Sequence, residues 1–425
     1  MTILHSADWL VPVIGEPITD GALLESDGVI IAVGRRRDLI FDDHDRERRW
    51  SGVIIPGLVN AHAHLQYSHM ADLTRRHYDG FYDWVQRFQA RFTAPGNDWY
   101  AAARDGARQA LATGTTAVAD VVTSTPAFGA MRDVGLKGIG YWEVFAWSNS
   151  RWRAMGRANT EQTLREHEAL PIGISPHAPH TVDDEVLMDL SRLADRLGLR
   201  RHIHLSESAP EVEFVLSGTG PQAEILGMQG LAEFSLLQSG GSGLRPAAYL
   251  DRLGGLGPNC HVAHGVYLDA ADRAILRRHQ TAVALCPRSN SLIGLDEPPV
   301  ADFLNEGNLL AVGTDSLAST PSLDLLADVG ELARMARRQG YAGNDLHARL
   351  LEAATLGGAR AIGFDQGETP IGALTPGYAA DFAVVDVSGP EELVESGAGR
   401  VTATVIDGEP RHQGAPVPEA VPSAS

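Results

Sequence analysis

Cysteine and lysine are both scarce in this chain of 425 residues. The two cysteines, Cys260 and Cys286, each lie in an apolar segment. Two thiols cannot hold a chain of this length together, so we expect buried free thiols rather than a disulfide framework. Lys137 is the only lysine, and the other basic residues apart from the histidines are arginines. Any functional site that requires a lysine would therefore have to contain Lys137.

Long apolar runs are absent as well. No segment approaches the roughly 18 apolar residues that a membrane helix needs. The first residues, MTILHSADWLVPVIGEP, lack the basic cluster and apolar core of a secretory signal. The net charge of −19 argues against nucleic acid and anionic membranes as partners. With 44% apolar and 21% charged residues, we expect a soluble cytoplasmic protein.

Short apolar runs alternate with longer helical stretches in the middle of the chain, which predicts parallel βα units. We predict eight strands, near GLVNAHAH, TTAVADV, KGIGYWEVF, IGISPH, RHIHLS, CHVAHG, AVALCP and LLAVGTD. Eight strands, each followed by a crossover, is the count of an α/β protein with a (β/α)8 TIM barrel. An open doubly wound sheet is the alternative, but it gives no reason for polar residues to recur at strand ends.

Both ends of the chain differ from this middle part, because they alternate in short strands with Gly and Asp turns. We predict that residues 56–368 form the barrel and that residues 1–55 and 369–412 form short strands outside it. The last residues, 413–425, have the composition of a disordered tail. Two long connections follow the first and fifth strands, and loops of that length in a compact domain are often functional.

Polar residues end several of these strands, and the strand ends of a TIM barrel carry the active site. His62 and His64 end strand 1, and a period of two puts both side chains on one face. His204 ends strand 5, His264 ends strand 6, and Asp315 ends strand 8. Imidazoles with one carboxylate and a position for water are what a catalytic divalent metal requires. We predict zinc, with iron(II) as the alternative.

The number of metals follows from the scarcity of lysine. Binuclear hydrolytic sites of this type often bridge two metals with a modified lysine on strand 4. Lys137 begins strand 3 instead, and the strand-4 segment IGISPH contains no lysine. The sequence therefore predicts a single metal.

Three groups near these ligands are predicted to be catalytic. Glu207 follows His204 by three residues, just beyond the strand, where a carboxyl group can act as a general acid. Asp315 could accept the proton of the attacking water as well as bind the metal. His264 could polarise water and stabilise charge on the adduct.

Other histidines lie at or near strand ends. His177, in SPHAPH, ends strand 4 and is predicted to donate a hydrogen bond to the substrate. We expect His202 and His261 to face out of phase with the interior and to belong to the barrel wall.

Several motifs resemble those of the amidohydrolase superfamily, in its branch of purine and triazine deaminases and chlorohydrolases. They are PGLVNAHAH, HLSES, HVAHG, CPRSN and GTDS, in this order and spacing, with GALTPGYAADFAVVD near the C-terminus. The resemblance covers almost the whole chain and implies a barrel with a β-sandwich from both termini, often as a homodimer. The metal ligands that it implies are His62, His64, His204 and Asp315, with Glu207 and His264 catalytic.

The first long connection is similar to that of the aminodeoxyfutalosine deaminases of menaquinone biosynthesis. It reads HLQYSHMAD and then GFYDWVQRF, where methylthioadenosine and S-adenosylhomocysteine deaminases usually carry HLxMxxLRG. This implies hydrolysis of 6-amino-6-deoxyfutalosine to futalosine and ammonia. The alternatives are a methylthioadenosine, S-adenosylhomocysteine or guanine deaminase, a triazine hydrolase, or a non-catalytic barrel scaffold.

The implied substrate suggests which residues bind it. A benzoate tail would need a guanidinium fork, which Arg151 or Arg153 after strand 3 could supply. The predicted contacts to the nucleoside are Phe81 and Trp84 over the purine ring, and Gln66 and Asp83 as hydrogen-bond partners.

Overall fold

A computed structural model describes residues 1–40 and 44–414 and contains one parallel sheet of eight strands. The strands are β1 Leu58–Ala63, β2 Thr115–Val122, β3 Lys137–Val144, β4 Ile172–Pro176, β5 Arg201–Leu205, β6 Cys260–His264, β7 Ala282–Leu285 and β8 Leu310–Val312. They lie side by side in chain order, and β1 and β8 meet where Asp315 donates its backbone N–H to the carbonyl oxygen of His62, at 3.0 Å. The predicted eight-stranded barrel is confirmed.

Helices cross over between successive strands and pack their apolar sides on the barrel. The crossover helices are Trp99–Ala112, Ala130–Val134, Arg157–Glu166, Asp184–Leu197, Pro246–Arg252, Ala270–Arg278 and Val300–Glu306, and Leu325–Arg338 follows β8. Asp184–Leu197 shows why the sequence folds this way. Val186, Leu190 and Leu193 recur at helical spacing and are buried, and Gly198 ends the helix in the left-handed conformation.

The other helices are short or lie in the long connections. They are Arg36–Leu39, Leu65–Arg75, Phe81–Phe92, Thr125–Gly129, Asn149–Arg151, Trp152–Gly156, Ala209–Ser217, Pro221–Met228, Ser235–Ser239, Pro287–Leu292, Leu346–Glu352, Ala353–Gly357, Gly358–Ile362 and Glu392–Ser396. Among the described residues, no helix is both long and apolar enough to cross a membrane.

Strands from both termini form two further sheets, as predicted. One contains Thr2–Ser6, Gly21–Ser26, Val29–Arg35 and Arg46–Arg49, and the other contains Trp9–Leu10, Ile18–Thr19, Val53–Pro56, Phe382–Val385, Val401–Ile406 and Glu409–Gln413. In the second sheet, Val53–Pro56 lies between Trp9–Leu10 and Phe382–Val385. The exact domain boundaries remain a prediction. Gln413 ends the last strand, and residues 415–425 of the predicted tail lie outside the described residues.

Lys137 connects the barrel to this second sheet. Its ammonium group, at the start of β3, lies 2.9 Å from Asp381 Oδ2 and 2.7 Å from Asp407 Oδ1. The carboxylate of Asp381 is buried, and a buried charge without a partner destabilises the folded state. The ammonium group of Lys137 compensates this charge. The only lysine of the chain is therefore held at the end of the barrel opposite the predicted site.

Candidate active site

Four side chains converge where β1, β5 and β8 end. His64 Nε2 lies 3.4 Å from His204 Nε2. Asp315 Oδ1 lies 3.6 Å from His62 Nε2 and 3.8 Å from His64 Nε2. All four side chains are buried. The facing nitrogens of the three histidines lie within 4.8 Å of one another, and Asp315 lies beside two of them. Imidazoles with a carboxylate are a donor set that divalent metals use in hydrolases.

Local backbone geometry produces this convergence. Side chains alternate along β1, so His62 and His64, two residues apart, both face the barrel interior at the end of this strand. Gly313, directly after β8, lies very close to β1. A Cβ atom at this position would be 2.7 Å from the Cβ of His62. The glycine of the GTDS motif therefore lets the strand that carries Asp315 approach the histidines.

The residues at three of these strand ends have strained backbones. Ser206, His264 and Asp315 have φ values of 51°, 72° and 61°, a region that residues other than glycine rarely adopt. Such strain persists where the surrounding contacts enforce it, and it is concentrated at functional sites. In this protein the positive φ values change the direction of the backbone at the ends of β5, β6 and β8.

Hydrogen bonds on the far side of three rings, those of His62, His204 and His264, fix their orientation. Nδ1 of His62 lies 2.9 Å from Nε2 of His202. Nδ1 of His204 donates to the carbonyl oxygen of His177 at 2.9 Å. In His264, Nδ1 donates to Asn290 Oδ1 at 3.0 Å. Partners of this kind set the tautomer of metal-binding histidines and leave Nε2 for the metal or for water.

The prediction that His202 and His261 belong to the barrel wall is wrong. The two rings lie 4.8 Å apart inside the barrel, and His261 Nε2 lies 3.0 Å from the carbonyl oxygen of Ala61 on β1. His202 and His204 are two residues apart on one strand, so their side chains share a face. His202 thus lies beneath the site and supports it.

The charge state of the cluster suits metal binding. Burial lowers the pKa of His64 to about 4, and it lowers the pKa values of His62 and His204 well below the ordinary range. The imidazoles are therefore neutral at pH 7, as ligation requires. His62 Nε2 is buried and has no hydrogen-bond partner among the described residues. Neutral, convergent and partly unpaired nitrogens fit a divalent metal.

The carboxylate of Asp315 is held so that one oxygen faces the histidines. Its Oδ2 accepts hydrogen bonds from Ser289 Oγ at 2.7 Å and from Ser319 Oγ at 2.9 Å. The Oδ1 atom accepts from the backbone N–H of Ser316 at 2.7 Å. Ser289 belongs to the CPRSN segment, so that motif orients the aspartate from the neighbouring strand end.

Glu207 lies beside the cluster with its carboxyl group in an environment that favours the protonated form. Its Oε1 is 3.8 Å from His264 Nε2, and the side chain is almost fully buried. Burial, with the added charge of Asp315, raises the pKa of Glu207 well above its ordinary value. Glu211 holds the backbone of this turn by accepting the N–H groups of Ser206 and Glu207, at 2.7 and 2.8 Å. A carboxyl group that is protonated at neutral pH can act as an acid.

Of the predicted substrate-binding residues, His177 lies against the cluster. Its ring centroid is 4.7 Å from that of His204, and its Nδ1 is 2.7 Å from Thr181 Oγ1. Gln66 is buried near the site, but its amide is engaged by Thr123, with Nε2 donating to the hydroxyl at 2.7 Å. Gln66 therefore positions Thr123.

The helix Phe81–Phe92 carries the other predicted nucleoside contacts. Trp84 donates its Nε1–H to the carbonyl oxygen of Ala318 at 3.0 Å, which places the indole over the chain after Asp315. The Phe81 ring lies 6.1 Å from that of Trp84. Asp83 is partly exposed and its carboxylate lies 3.8 Å from Arg87, on the same helix.

The two predicted tail-binding arginines lie at the surface. Arg153 forms an ion pair with Glu185, and both side chains are more than half exposed. Arg151 is exposed at the end of the short helix Asn149–Arg151. The structure does not bring either guanidinium group into the histidine cluster.

Sequence reasoning missed several residues of the site, namely Glu143, His202, Glu211, Ser289 and Asn290. Two of them could have been predicted from the sequence, because Ser289 and Asn290 lie in the CPRSN motif next to a strand end. Glu143 shares a strand face with Tyr141, whose ring contacts His202 inside the barrel. The period of two along KGIGYWEVF is the signal that places Glu143 on the interior face of this strand.

Comparison with known proteins agrees with this geometry. Residues 53–411 match the model of the amidohydrolase family. A 5-methylthioadenosine/S-adenosylhomocysteine deaminase of Nitratidesulfovibrio vulgaris is 28% identical, over 93% of this chain and 88% of its own.

Two solved structures are similar over nearly the whole chain. An adenosine deaminase from Xanthomonas campestris with bound zinc is 26% identical, with a TM-score of 0.79 over 99% of this chain and 94% of that one. The aminofutalosine deaminase of Helicobacter pylori has a TM-score of 0.80, over 96% of this chain and 99% of that one. At 18% identity, the second likeness shows a shared fold.

Proposed function

This chain belongs to the amidohydrolase family and is a hydrolase acting on C–N bonds, and we propose that it removes the 6-amino group of an adenine nucleoside. The observation that carries the proposal is the pairing of a His/Asp cluster with a buried carboxyl group, that of Glu207, whose pKa burial raises well above its ordinary value. The names of the similar proteins support the same chemistry, because the relative of 28% identity and the structure of 26% identity are both called deaminases of adenine nucleosides.

We assign one divalent metal, zinc, to His62, His64, His204 and Asp315. When bound, such a metal lowers the pKa of a coordinated water to about 7 and so supplies a nucleophile at neutral pH. The same donors suit iron(II).

Two carboxyl groups of the chain, those of Glu207 and Asp315, then move the protons of the reaction. Glu207 donates its proton to N1 of the purine as water adds to C6. Asp315 accepts the proton of that water at its carboxylate and passes it to the departing amine. The C6–N bond breaks and ammonia leaves. The hydroxyl proton of the adduct returns to the Glu207 carboxylate, so the purine keeps the water oxygen as a 6-oxo group and the acid is restored.

His264 orients the attacking water rather than donating to it. Burial lowers its pKa, so the ring is neutral, and its Nδ1–H is committed to Asn290. The Nε2 atom is therefore an acceptor, 3.8 Å from Glu207. A hydrogen bond from the water to Nε2 would aim the oxygen lone pair at C6.

For the substrate itself we propose 6-amino-6-deoxyfutalosine, in menaquinone biosynthesis. The support is the sequence of the first long connection, HLQYSHMAD and GFYDWVQRF, which forms the helices beside the cluster. The surface positions of Arg151 and Arg153 mean that a benzoate tail would need another partner. The relative of 28% identity keeps methylthioadenosine and S-adenosylhomocysteine as the competing substrates.

Ammonia release by zinc-loaded protein tests the proposal. The panel is aminodeoxyfutalosine, S-adenosylhomocysteine, methylthioadenosine, 5′-deoxyadenosine, adenosine, guanine and a chlorotriazine, ranked by kcat/KM. A preference for aminodeoxyfutalosine would support the full proposal. A preference for another adenine nucleoside would support deamination at C6 and would contradict aminodeoxyfutalosine as the substrate. Activity on guanine or the triazine alone would contradict an adenine nucleoside deaminase.

A further inference from the structure

His64 is held differently from the other histidines of the cluster. The rings of His62, His204 and His264 each form a hydrogen bond at Nδ1. In contrast, Nδ1 of His64 is buried and has no partner with hydrogen-bonding geometry among the described residues. Burial lowers the pKa of His64, and the backbone of Val121 acts in the opposite direction without reaching that geometry. The orientation of the His64 ring therefore depends on other contacts.

The phenol ring of Tyr67 packs against the His64 imidazole. The two ring centroids are 5.2 Å apart and the ring planes differ by 18°, which is a stacked arrangement. The backbone N–H of Tyr67 also donates to the carbonyl oxygen of His64 at 3.0 Å. The edge of the Phe88 ring lies against Tyr67 as well, with the centroids 5.0 Å apart. This packing fixes the imidazole only as long as the segment that carries Tyr67 keeps its position.

Asp120, on β2, holds the start of that segment. Its Oδ1 accepts a hydrogen bond from the backbone N–H of Leu65 at 2.8 Å. Leu65 directly follows His64 and begins the helix Leu65–Arg75, which carries Tyr67. The first N–H groups of a helix have no partner within the helix, and the side chain of His64 does not cap this one. The carboxyl group of Asp120 thus serves, from the neighbouring strand, as the N-cap of this helix.

The surroundings of Asp120 would suit an apolar side chain. Asp120 is fully buried, and it shares a strand face with Val118 and Val122, which belong to an apolar cluster with residues of the helix Trp99–Ala112. Its Oδ2 makes no hydrogen bond in the part of the chain that the structure describes. A buried polar group with so few partners costs free energy of folding. The hydrogen bond to Leu65 therefore indicates a role at the site rather than in the stability of the core.

We propose that Asp120 is a positioning residue for the metal site. It holds the start of the helix Leu65–Arg75, and through this helix it keeps the Tyr67 ring against the ligand His64. Because the N–H of Leu65 is a neutral donor, the contact needs an acceptor oxygen and not a charge. The inference rests on the proposed function for the assignment of a metal to His64, and it does not depend on which substrate is deaminated.

The experiment measures zinc affinity, by competition with a chelator, in matched variants of the full chain. Asp120→Val removes the acceptor, Asp120→Asn keeps an acceptor oxygen, and Tyr67→Leu removes the stacked ring. The control is Thr404→Val, which removes a buried hydrogen bond of 2.6 Å to the carbonyl oxygen of Leu111, in the second terminal sheet. Urea unfolding of the metal-free proteins measures the loss of stability separately, and kcat and KM are measured at saturating zinc.

We expect Asp120→Val and Tyr67→Leu to weaken zinc binding by about 10- to 100-fold, the usual effect of losing a group that orients a metal ligand. At saturating zinc, kcat should fall by a larger factor than KM rises, because the reacting centre is disturbed. Asp120→Asn should restore most of the zinc affinity. Thr404→Val should lower the free energy of unfolding and leave the zinc affinity unchanged.

Unchanged zinc affinity in either Asp120→Val or Tyr67→Leu would overturn the inference, so Tyr67→Leu tests it even if Asp120→Val does not fold. Equal losses in Asp120→Val and Thr404→Val would also overturn it, because they would show a general effect of destabilisation. Neither result would contradict the proposed function, which ammonia release tests. Zinc affinities in the expected order without deamination of any adenine nucleoside would support the role of Asp120 and contradict the proposed function.

Discussion

Nδ1 of His62 lies 2.9 Å from Nε2 of His202, and this contact turns the other nitrogen of His62 toward His64 and Asp315. Both rings are fully buried. One histidine of the barrel interior thus orients another that faces the site.

We predict that His202→Phe weakens metal binding by about 10- to 100-fold, the usual cost of losing a partner of a metal ligand. The phenyl ring fills the space but cannot hydrogen-bond to His62. Competition with a chelator, followed by elemental analysis, measures the change. His347→Ala, on the surface, is the control, and an unchanged affinity in His202→Phe would show that the His62 ring needs no support.

Ser289 is predicted to control the orientation of Asp315. Ser289→Ala removes the 2.7 Å hydrogen bond to Oδ2, and loss of a hydrogen bond to a charged group costs about 1.5–3 kcal/mol. We expect kcat/KM to fall about 10- to 100-fold. Ser291→Ala, exposed on the same helix, should retain full activity. Equal activities of the two variants would mean that Ser319 alone is sufficient.

Glu207→Gln should lower kcat by about 10²- to 10⁴-fold, because the amide keeps the shape of the side chain but cannot transfer the proton. Metal content should remain that of the wild-type protein, since Glu207 is not a proposed ligand. Glu213→Gln, exposed on the next helix, is the control. A variant that retains most of its kcat would require another proton donor.

Lys137→Met should lower the free energy of unfolding by about 3–5 kcal/mol, because it leaves the buried carboxylate of Asp381 without its cation. Asp407→Asn removes only the exposed partner and should cost less than about 1 kcal/mol. Urea unfolding monitored by circular dichroism measures both. Equal effects of the two changes would contradict a dominant role for the buried pair.

The pH dependence of that pair follows from the lysine. Burial alone lowers the pKa of Lys137, but Asp381 and Asp407 outweigh it and raise the pKa above its ordinary value. A raised pKa gives stabilisation that is complete below the unfolded-state pKa and is lost as pH rises through the folded-state pKa. The difference between wild type and Lys137→Met should therefore hold from about pH 7 to 9 and shrink only in strongly alkaline solution.

The barrel could be predicted because eight short apolar runs alternate with helical stretches, and the candidate site because polar residues end several of those runs. The convergence of His62, His64, His204 and Asp315 then follows from the fold, and their role as ligands remains a prediction. His202 is two residues from His204 on the same strand, so it faces the barrel interior and not the predicted wall.

Contacts between distant segments were less accessible to sequence reasoning. The bond from Ser289 to Asp315 depends on how two neighbouring loops pack. The expectation for Arg151 and Arg153 used charge alone, and solvation at the surface competes with a site for such side chains.

The second terminal sheet has a consequence for synthesis on the ribosome. One edge of Val53–Pro56 pairs with Phe382–Val385, so this edge has no native partner until nearly the whole chain has been made. At about 5–20 residues per second, the delay is on the order of tens of seconds. An open, apolar strand edge is prone to pair with other chains. Nascent chains that stall before residue 382 should therefore be the ones that depend on chaperones.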